Sequence, residues 1–276
     1  MTDKRIAIVF DFDETLTPDS TTAFLKSKGV DIEDFWTNKV QKLDDDGWDP
    51  ILAYMFQMIE ISEAREISPI SRKDFCDYGK QIKFYKGVEK MFDTIKKHFR
   101  TTHPAIEVEF YLISSGIGDI IKSSSIAKHF TAIWASDFHY TNDGEINFPK
   151  KAISFTDKTR YIFQITKGIY GEYYNDKPFE VNKKIPYEKL RIKPHNMIIV
   201  GDGYTDIPCF SLVKRDGGYA IGVYDKSNKQ KWGKAWGFIE DDRVSNLVSA
   251  NYSTNSDLMS SLFMALDRIA IRIEEI

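Results

Sequence analysis

The sequence predicts an α/β fold, a doubly wound parallel sheet with a small all-helical domain inserted near its start. Three observations lead there. Short apolar strands alternate with amphipathic helices, the strongest strands break off abruptly in polar and glycine residues, and residues 18–83 offer helices without a convincing strand. Such alternation puts connections on both faces of a parallel sheet, and ligands of these sheets bind outside the carboxyl ends of the strands.

In chain order, IAIVF (6–10) is the first apolar run of strand length. STTAFLKSKG, VDIEDFWTNKVQKLDDDG and WDPILAYMFQMIEISEAREI follow as helical stretches. The expected domains are therefore an α/β core of residues 1–17 and 84–276 and a helical cap of residues 18–83. Phe35, Trp36, Trp48, Tyr54, Met55, Phe56 and Met58 suit a small core for that insert, with a few available to line a pocket. GVEKMFDTIKKHF (87–99) sets Val88, Met91, Phe92, Ile95 and Phe99 on one helical stripe. EFYLIS (109–114) is the second strong strand, and DIIKSSSIAKHF (119–130) reads as the next helix. AIWASDF (132–138) is a weaker strand, and TRYIFQITKGIY (159–170) another helix. Residues 170–196, polar, aromatic and proline-containing, read as a surface insertion or hairpin. NMIIVGD (196–202) is the third strong strand, and GGYAIGVY (217–224) is weaker. SDLMSSLFMALDRIAIRIEEI closes the chain as an amphipathic helix expected to pack on the sheet.

Composition narrows the function. A net charge of −3 gives no bulk attraction to nucleic acid or another polyanion. Two cysteines, Cys76 and Cys209, make no disulfide framework and fit a reducing compartment. The apolar run of MTDKRIAIVF is too short for a signal peptide or a membrane span. The expectation is a soluble, cytoplasmic protein whose partner is a small molecule rather than a nucleic acid or a membrane.

The chemistry concentrates at the strand ends. Strand 6–10 runs straight into DFDETL, with Asp11, Asp13 and Glu14 crowded together where like charges repel. Positions i and i+2 of a strand share a face, so Asp11 and Asp13 converge approximately. GDGYTD (201–206) brings Asp202 and Asp206 to another strand end. A GDG alone is an ordinary tight turn. Carboxylates from two strand ends, with no HxH or HExxH among the five histidines, suit an oxygen-ligated hard cation, Mg²⁺ rather than Zn²⁺. Ser114, Ser115 and Gly116 in YLISSG offer a hydroxyl and backbone N–H groups to an anion at the start of the following helix, although Ser there is more often a plain N-cap. Lys158 opens a helix in FTDKTRYIF and, taken alone, would be a solvated charge.

As a set these motifs are far more specific. DFDETL, then ISSG about a hundred residues later, then a Lys, then GDGYTD resembles the haloacid dehalogenase superfamily, whose order is DxDxT, Ser/Thr, Lys and an acidic GDGxxD. The resemblance covers roughly residues 5–17 and 84–260. The helical insert matches the cap position of the phosphoserine-phosphatase-like branch, FYKGVEKMFDTIKK is similar to the family's return from cap to core, and too little chain lies between Asp137 and Lys158 for the alternative cap. The resemblance implies a Rossmann-like core and a Mg²⁺-dependent phosphatase acting through an aspartyl phosphate. Asp11 would be the nucleophile and Asp13 the general acid and base. The metal would be held by the Asp11 carboxylate, the Asp13 carbonyl and Asp202, with Asp206 as ligand or close neighbour. Ser114, Lys158 and the backbone N–H groups near Phe12, Asp13, Ser115 and Gly116 would neutralise the phosphoryl oxygens, and Thr15 would brace the loop. Lys150, Lys151 and Lys167 compete with Lys158 for the lysine role.

Other reactions of the superfamily fit less well. Halide displacement needs no acid at position 13, a phosphonatase needs a Schiff-base lysine in the cap (Lys26, Lys28, Lys39 or Lys42), and a pump needs membrane spans. A phosphotransferase or a non-catalytic phospho-ligand-binding descendant stays open as an alternative. Phosphoserine itself is an uncomfortable substrate. Ser20 and Phe56 stand at the offsets where charged cap residues are expected, Arg65 is the nearest basic candidate, and the last loop has Thr where those enzymes usually have Asn.

Overall fold

The structure is a computed structural model and describes residues 4–227 and 237–275. Seven strands form one sheet: β1 (Arg5–Phe10), β2 (Glu107–Ile117), β3 (Ala132–Tyr140), β4 (Ile146–Lys151), β5 (Met197–Gly201), β6 (Tyr219–Tyr224) and β7 (Asn246–Ser249). Their order is β4-β3-β2-β1-β5-β6-β7, parallel throughout except for the antiparallel β3–β4 pair. The predicted doubly wound α/β sheet is present. β1 lies near its middle, covered on both faces, which is why its sequence is a continuous apolar run rather than an alternation. Ile6, Ile8 and Phe10 face one layer, built from helix α5 (Val88–Thr102) and the C-terminal helix Asp257–Glu274. Ala7 and Val9 face the other, built from α7 (Asp157–Lys167) and α8 (Ile207–Arg215).

Residues 18–83 are helical, with α1 (Ser20–Ser27), a π-helical turn Asp34–Val40, α2 (Gln41–Asp45), α3 (Pro50–Glu63) and α4 (Arg72–Gly79). Asp19, Asp49 and Ser71 cap α1, α3 and α4 through their side chains. The core of this insert is not its own. Phe24, Phe35, Met55, Met58 and Phe75 pack together with Ile117, Ile120, Phe138 and Ile146, which come from the ends of β2 and β3, from α6 (Gly118–Ser123) and from β4. Trp48 is exposed and sits beside Phe56, ring centroids 5.0 Å apart.

Three sequence expectations need correction. β2 continues through Ser115 and Gly116 to Ile117, so those residues are strand rather than the start of a helix. The helix expected over 119–130 ends at Ser123, because Ser124 is extended (ψ 154°) and returns its hydroxyl to the Ile121 carbonyl. Strands β4 and β7 were not expected. Of the two readings of residues 170–196, the insertion holds: they form short 3-10 turns rather than a hairpin, and Arg191 ties them to the sheet through buried Glu109 on β2. Among the described residues, no helix is long and apolar enough to cross a membrane.

Candidate active site

The motifs meet at the carboxyl edge of the sheet. Past β1, the Asp11 amide still pairs with the Val200 carbonyl at 3.0 Å, and the chain then coils tightly as the Phe12 carbonyl accepts from the amides of Thr15, Leu16 and Thr17. Glu14 carries the bend with φ 57°, a left-handed conformation that costs a non-glycine residue energy and is found preferentially where a site demands it. The loop is clamped by four partners. Glu14 accepts from the Asp19 amide (3.1 Å) and the Tyr85 hydroxyl (3.3 Å), Tyr252 donates to the Thr15 carbonyl (3.0 Å), and the Thr15 hydroxyl donates to Asp202 (3.4 Å).

This coil sends the two aspartates apart. Asp11 joins Asp202 and Asp206, one carboxylate oxygen from each lying within 4.8 Å of the others. Lys158, 1% exposed, reaches the same point from the first turn of α7, 2.7 Å from Asp206 Oδ1 and 3.1 Å from Asp11 Oδ1, and it also donates to the Thr205 hydroxyl. Its competitors stand elsewhere. Lys150 is exposed, Lys151 pairs with Asp137, and Lys167 donates to the carbonyls of Val181 and Lys183. Asp13 turns toward the insert, where its Oδ1 accepts from the Ser20 amide at 2.7 Å.

Two glycines make room for these acids. A Cβ at Gly116 would lie 2.3 Å from Asp13 Oδ2, and one at Gly201 would lie 2.4 Å from Asp206 Oδ2. The bare end of β2 therefore presses against the Asp13 carboxylate. Ser114 sits on the same side of the strand, buried, its hydroxyl accepting from the Gly116 amide at 3.0 Å. The Ser115 carbonyl accepts from Tyr54 of the insert (2.8 Å) and from Ser136 (3.0 Å).

Burial dominates the electrostatics. It lifts Asp11 to about 6 against the pull of Lys158, and lifts Asp13 to about 8 with the Asp19 charge adding to it. Asp202 is raised well above its ordinary value, first by burial and then by the charges of Asp11 and Asp206. Burial disfavours the Lys158 ammonium, yet the Asp11 and Asp206 carboxylates outweigh it and hold the proton more tightly than usual. Three carboxylates thus face one cation. Asp11 Oδ1 is buried and, beyond its ion pair with Lys158, has no aligned hydrogen bond. An all-oxygen, over-negative cluster of this kind fits a hard divalent cation.

No family model matches the chain. An uncharacterised protein of Borreliella burgdorferi is 25% identical over 279 residues, covering 92% of this chain and 93% of that one. Among solved structures, a HAD-family hydrolase from Salmonella enterica serovar Typhi superposes with TM-score 0.60 at 12% identity, over 95% of this chain and 71% of the other. A phosphoserine phosphatase described as a phospho-aspartyl intermediate analogue gives 0.55 at 15% identity, over 95% and 99%. A substrate-bound phosphoserine phosphatase gives 0.56 at 16%, over 95% and 98%. The fold is that of the haloacid dehalogenase superfamily.

Within the haloacid dehalogenase fold, sequence reasoning missed the residues that hold the loop. Tyr252 stands 237 positions from its partner Thr15, and nothing local marks it. Tyr54 lay in the aromatic run of the insert, without a sign that its hydroxyl would reach β2. Arg65 is paired outward with Glu145, and Lys28 and Lys39 are paired with Asp74 and Glu66, so these insert cations are already engaged.

Proposed function

We propose that this protein is a Mg²⁺-dependent phosphatase that hydrolyses a small phosphate monoester through a phosphorylated Asp11, with residues 18–83 acting as a cap on a core of residues 1–17 and 84–276. The observation that carries the reading is the convergence of Asp11, Asp202 and Asp206 around the buried Lys158 ammonium.

Asp11, Asp202 and Asp206 would hold the metal with the Asp13 backbone carbonyl. When bound, the cation would offset the repulsion between the Asp11 carboxylate and a phosphate dianion. The remaining work falls to the chain. Lys158 and the Ser114 hydroxyl, with the amides of Phe12, Asp13, Ser115 and Gly116, would draw charge from the phosphoryl oxygens. An Asp11 oxygen attacks phosphorus as the bond to the leaving oxygen breaks, and Asp13 gives that oxygen its proton. The Asp13 carboxylate then takes a proton from water. The water oxygen attacks phosphorus, the bond to Asp11 breaks, and inorganic phosphate leaves. An Asp13 pushed up to about 8 by burial enters this cycle protonated at neutral pH, as the first step requires. Thr15, bonded to Asp202, would brace the loop beside the phosphate.

Hydrolysis of p-nitrophenyl phosphate tests the reading. The expected result is turnover that needs Mg²⁺ and disappears in Asp11→Asn. Turnover that survives Asp11→Asn, or that proceeds equally with the metal chelated, would overturn it.

A further inference from the structure

The part of the insert that faces Asp13 carries no positive charge. Asp19 lies close enough to Asp13 to raise it, and it is engaged by the Thr22 amide and hydroxyl. Thr22 in turn accepts from the Trp36 indole at 2.9 Å, and the Trp36 ring lies 6.2 Å from that of Tyr54. Tyr54 and the half-buried Tyr78 both sit within reach of the Asp13 charge, which adds to burial in raising their hydroxyls. Ser20 gives its amide to Asp13, and its buried side chain also works on that carboxylate, lowering it against the push of burial. The wall is hydroxyl, aromatic and one carboxylate. No lysine or arginine of residues 18–83 forms an ion pair with Asp13 or Asp19: Lys26, Lys42 and Lys83 are exposed, and the others lie in ion pairs with different acids.

A leaving group must lie beside Asp13, because that is where its oxygen collects a proton. A carboxylate there would stand beside the half-buried Asp13 and Asp19 with no insert cation to pair it, an unfavourable placement. A neutral hydroxyl meets no such repulsion. Resting on the phosphatase reading above, we propose that the substrate is the phosphate ester of an alcohol without a carboxylate, and that Asp19 is the residue that imposes this choice.

Glycerol 3-phosphate and 3-phosphoglycerate are nearly equal in size and differ only in a hydroxymethyl against a carboxylate. Each is measured as a competitor of p-nitrophenyl phosphate hydrolysis in the presence of Mg²⁺. The inhibition constant of glycerol 3-phosphate is expected to be lower by about tenfold or more, the scale of an unpaired buried charge. Asp19→Asn keeps a good helix cap while removing the charge, so the ratio should shrink several-fold in that variant. Loss of the Asp19 charge also lowers Asp13, and a more ionised Asp13 works against the carboxylate, so a shrinking ratio cannot come from Asp13. Equal or tighter competition by 3-phosphoglycerate would overturn the proposal and leave the phosphatase reading standing. So would failure of both to compete at about 10 mM, beyond the usual span of Michaelis constants. Absence of p-nitrophenyl phosphate turnover would instead remove the phosphatase reading, and this proposal with it.

Discussion

Gly116 and Asp13 illustrate what the site demands of single residues. The strand end approaches the carboxylate so closely that one methyl group would occupy its place, at 2.3 Å from Oδ2. Gly116→Ala should therefore turn the acid away and lower kcat by about a hundredfold, the lower range of general acid catalysis, while thermal unfolding moves little. Lys158 is different, since it holds the cluster together as well as serving it. Lys158→Met would leave Asp11 and Asp206 buried without their cation, costing about 3–5 kcal/mol in denaturant unfolding of the metal-free protein. It should also lower activity by about 10³-fold. The pH profile follows from the two raised aspartates. Asp11 must be ionised to attack and Asp13 protonated to donate, so kcat/KM should rise through about pH 6 and fall through about pH 8, the first limb moving lower as Mg²⁺ binds. The motif letters made Asp11, Asp202 and Lys158 readable as candidates. That Lys158 is 1% exposed, and so cannot be a solvated charge, was a fact of packing that its neighbours Thr159 and Arg160 do not reveal.

At the scale of elements, legibility tracked burial. β1, β2 and β5 are covered on both faces and carry continuous apolar stretches at 6–10, 110–113 and 197–200, so they stood out in the sequence. β4 and β7 are the sheet edges. β4 is INFPKK, with a proline and two lysines that protect an edge from further pairing and also erase the strand signal. The truncation of α6 depended on Ser124 preferring its own backbone bond to another helical turn, a local competition that apolar periodicity ignores. Residues 170–196 were opaque because their order comes from partners outside the segment, among them Glu109 under the Arg191 guanidinium, with the Tyr111 hydroxyl beside it, and Lys167 on the Val181 and Lys183 carbonyls. Arg191→Ala would leave Glu109 buried with Arg5 and the Tyr111 hydroxyl as its remaining partners. The expected result is a loss of about 3 kcal/mol in denaturant unfolding and faster proteolytic cleavage within 170–196, with Mg²⁺-dependent activity retained. Unchanged stability would remove that segment's anchoring from the account.

The molecule as a whole stores unfavourable electrostatics at one pole of its sheet. Asp11, Asp13 and Asp202 are all held above the value they have in an unfolded chain. Groups shifted upward stabilise the folded state while protonated, below about pH 4, and that contribution is lost as pH climbs through 6 and 8. Metal-free protein should accordingly melt at progressively lower temperature between pH 5 and pH 8.5. Mg²⁺ at about a hundred times its dissociation constant should restore about 2.7 kcal/mol, most visibly at the alkaline end. A melting temperature indifferent to Mg²⁺ at pH 8 would show that the cluster holds no cation. Its placement was legible in outline because three motifs on three strands needed a common pole. The wall opposite was not legible, since it is made by helices whose faces are set only when the insert packs on β2, β3 and β4.

Phosphorylation of Asp11 is the claim on which the rest depends, and it can be caught directly. An acyl phosphate is reduced by borohydride to the alcohol, which would convert Asp11 to homoserine. Protein quenched with borohydride during turnover of p-nitrophenyl phosphate and Mg²⁺ should carry that change in the peptide containing Asp11, and lose it when substrate is omitted. Steady turnover with Asp11 unmodified, or with the modification on a different acid, would contradict the mechanism.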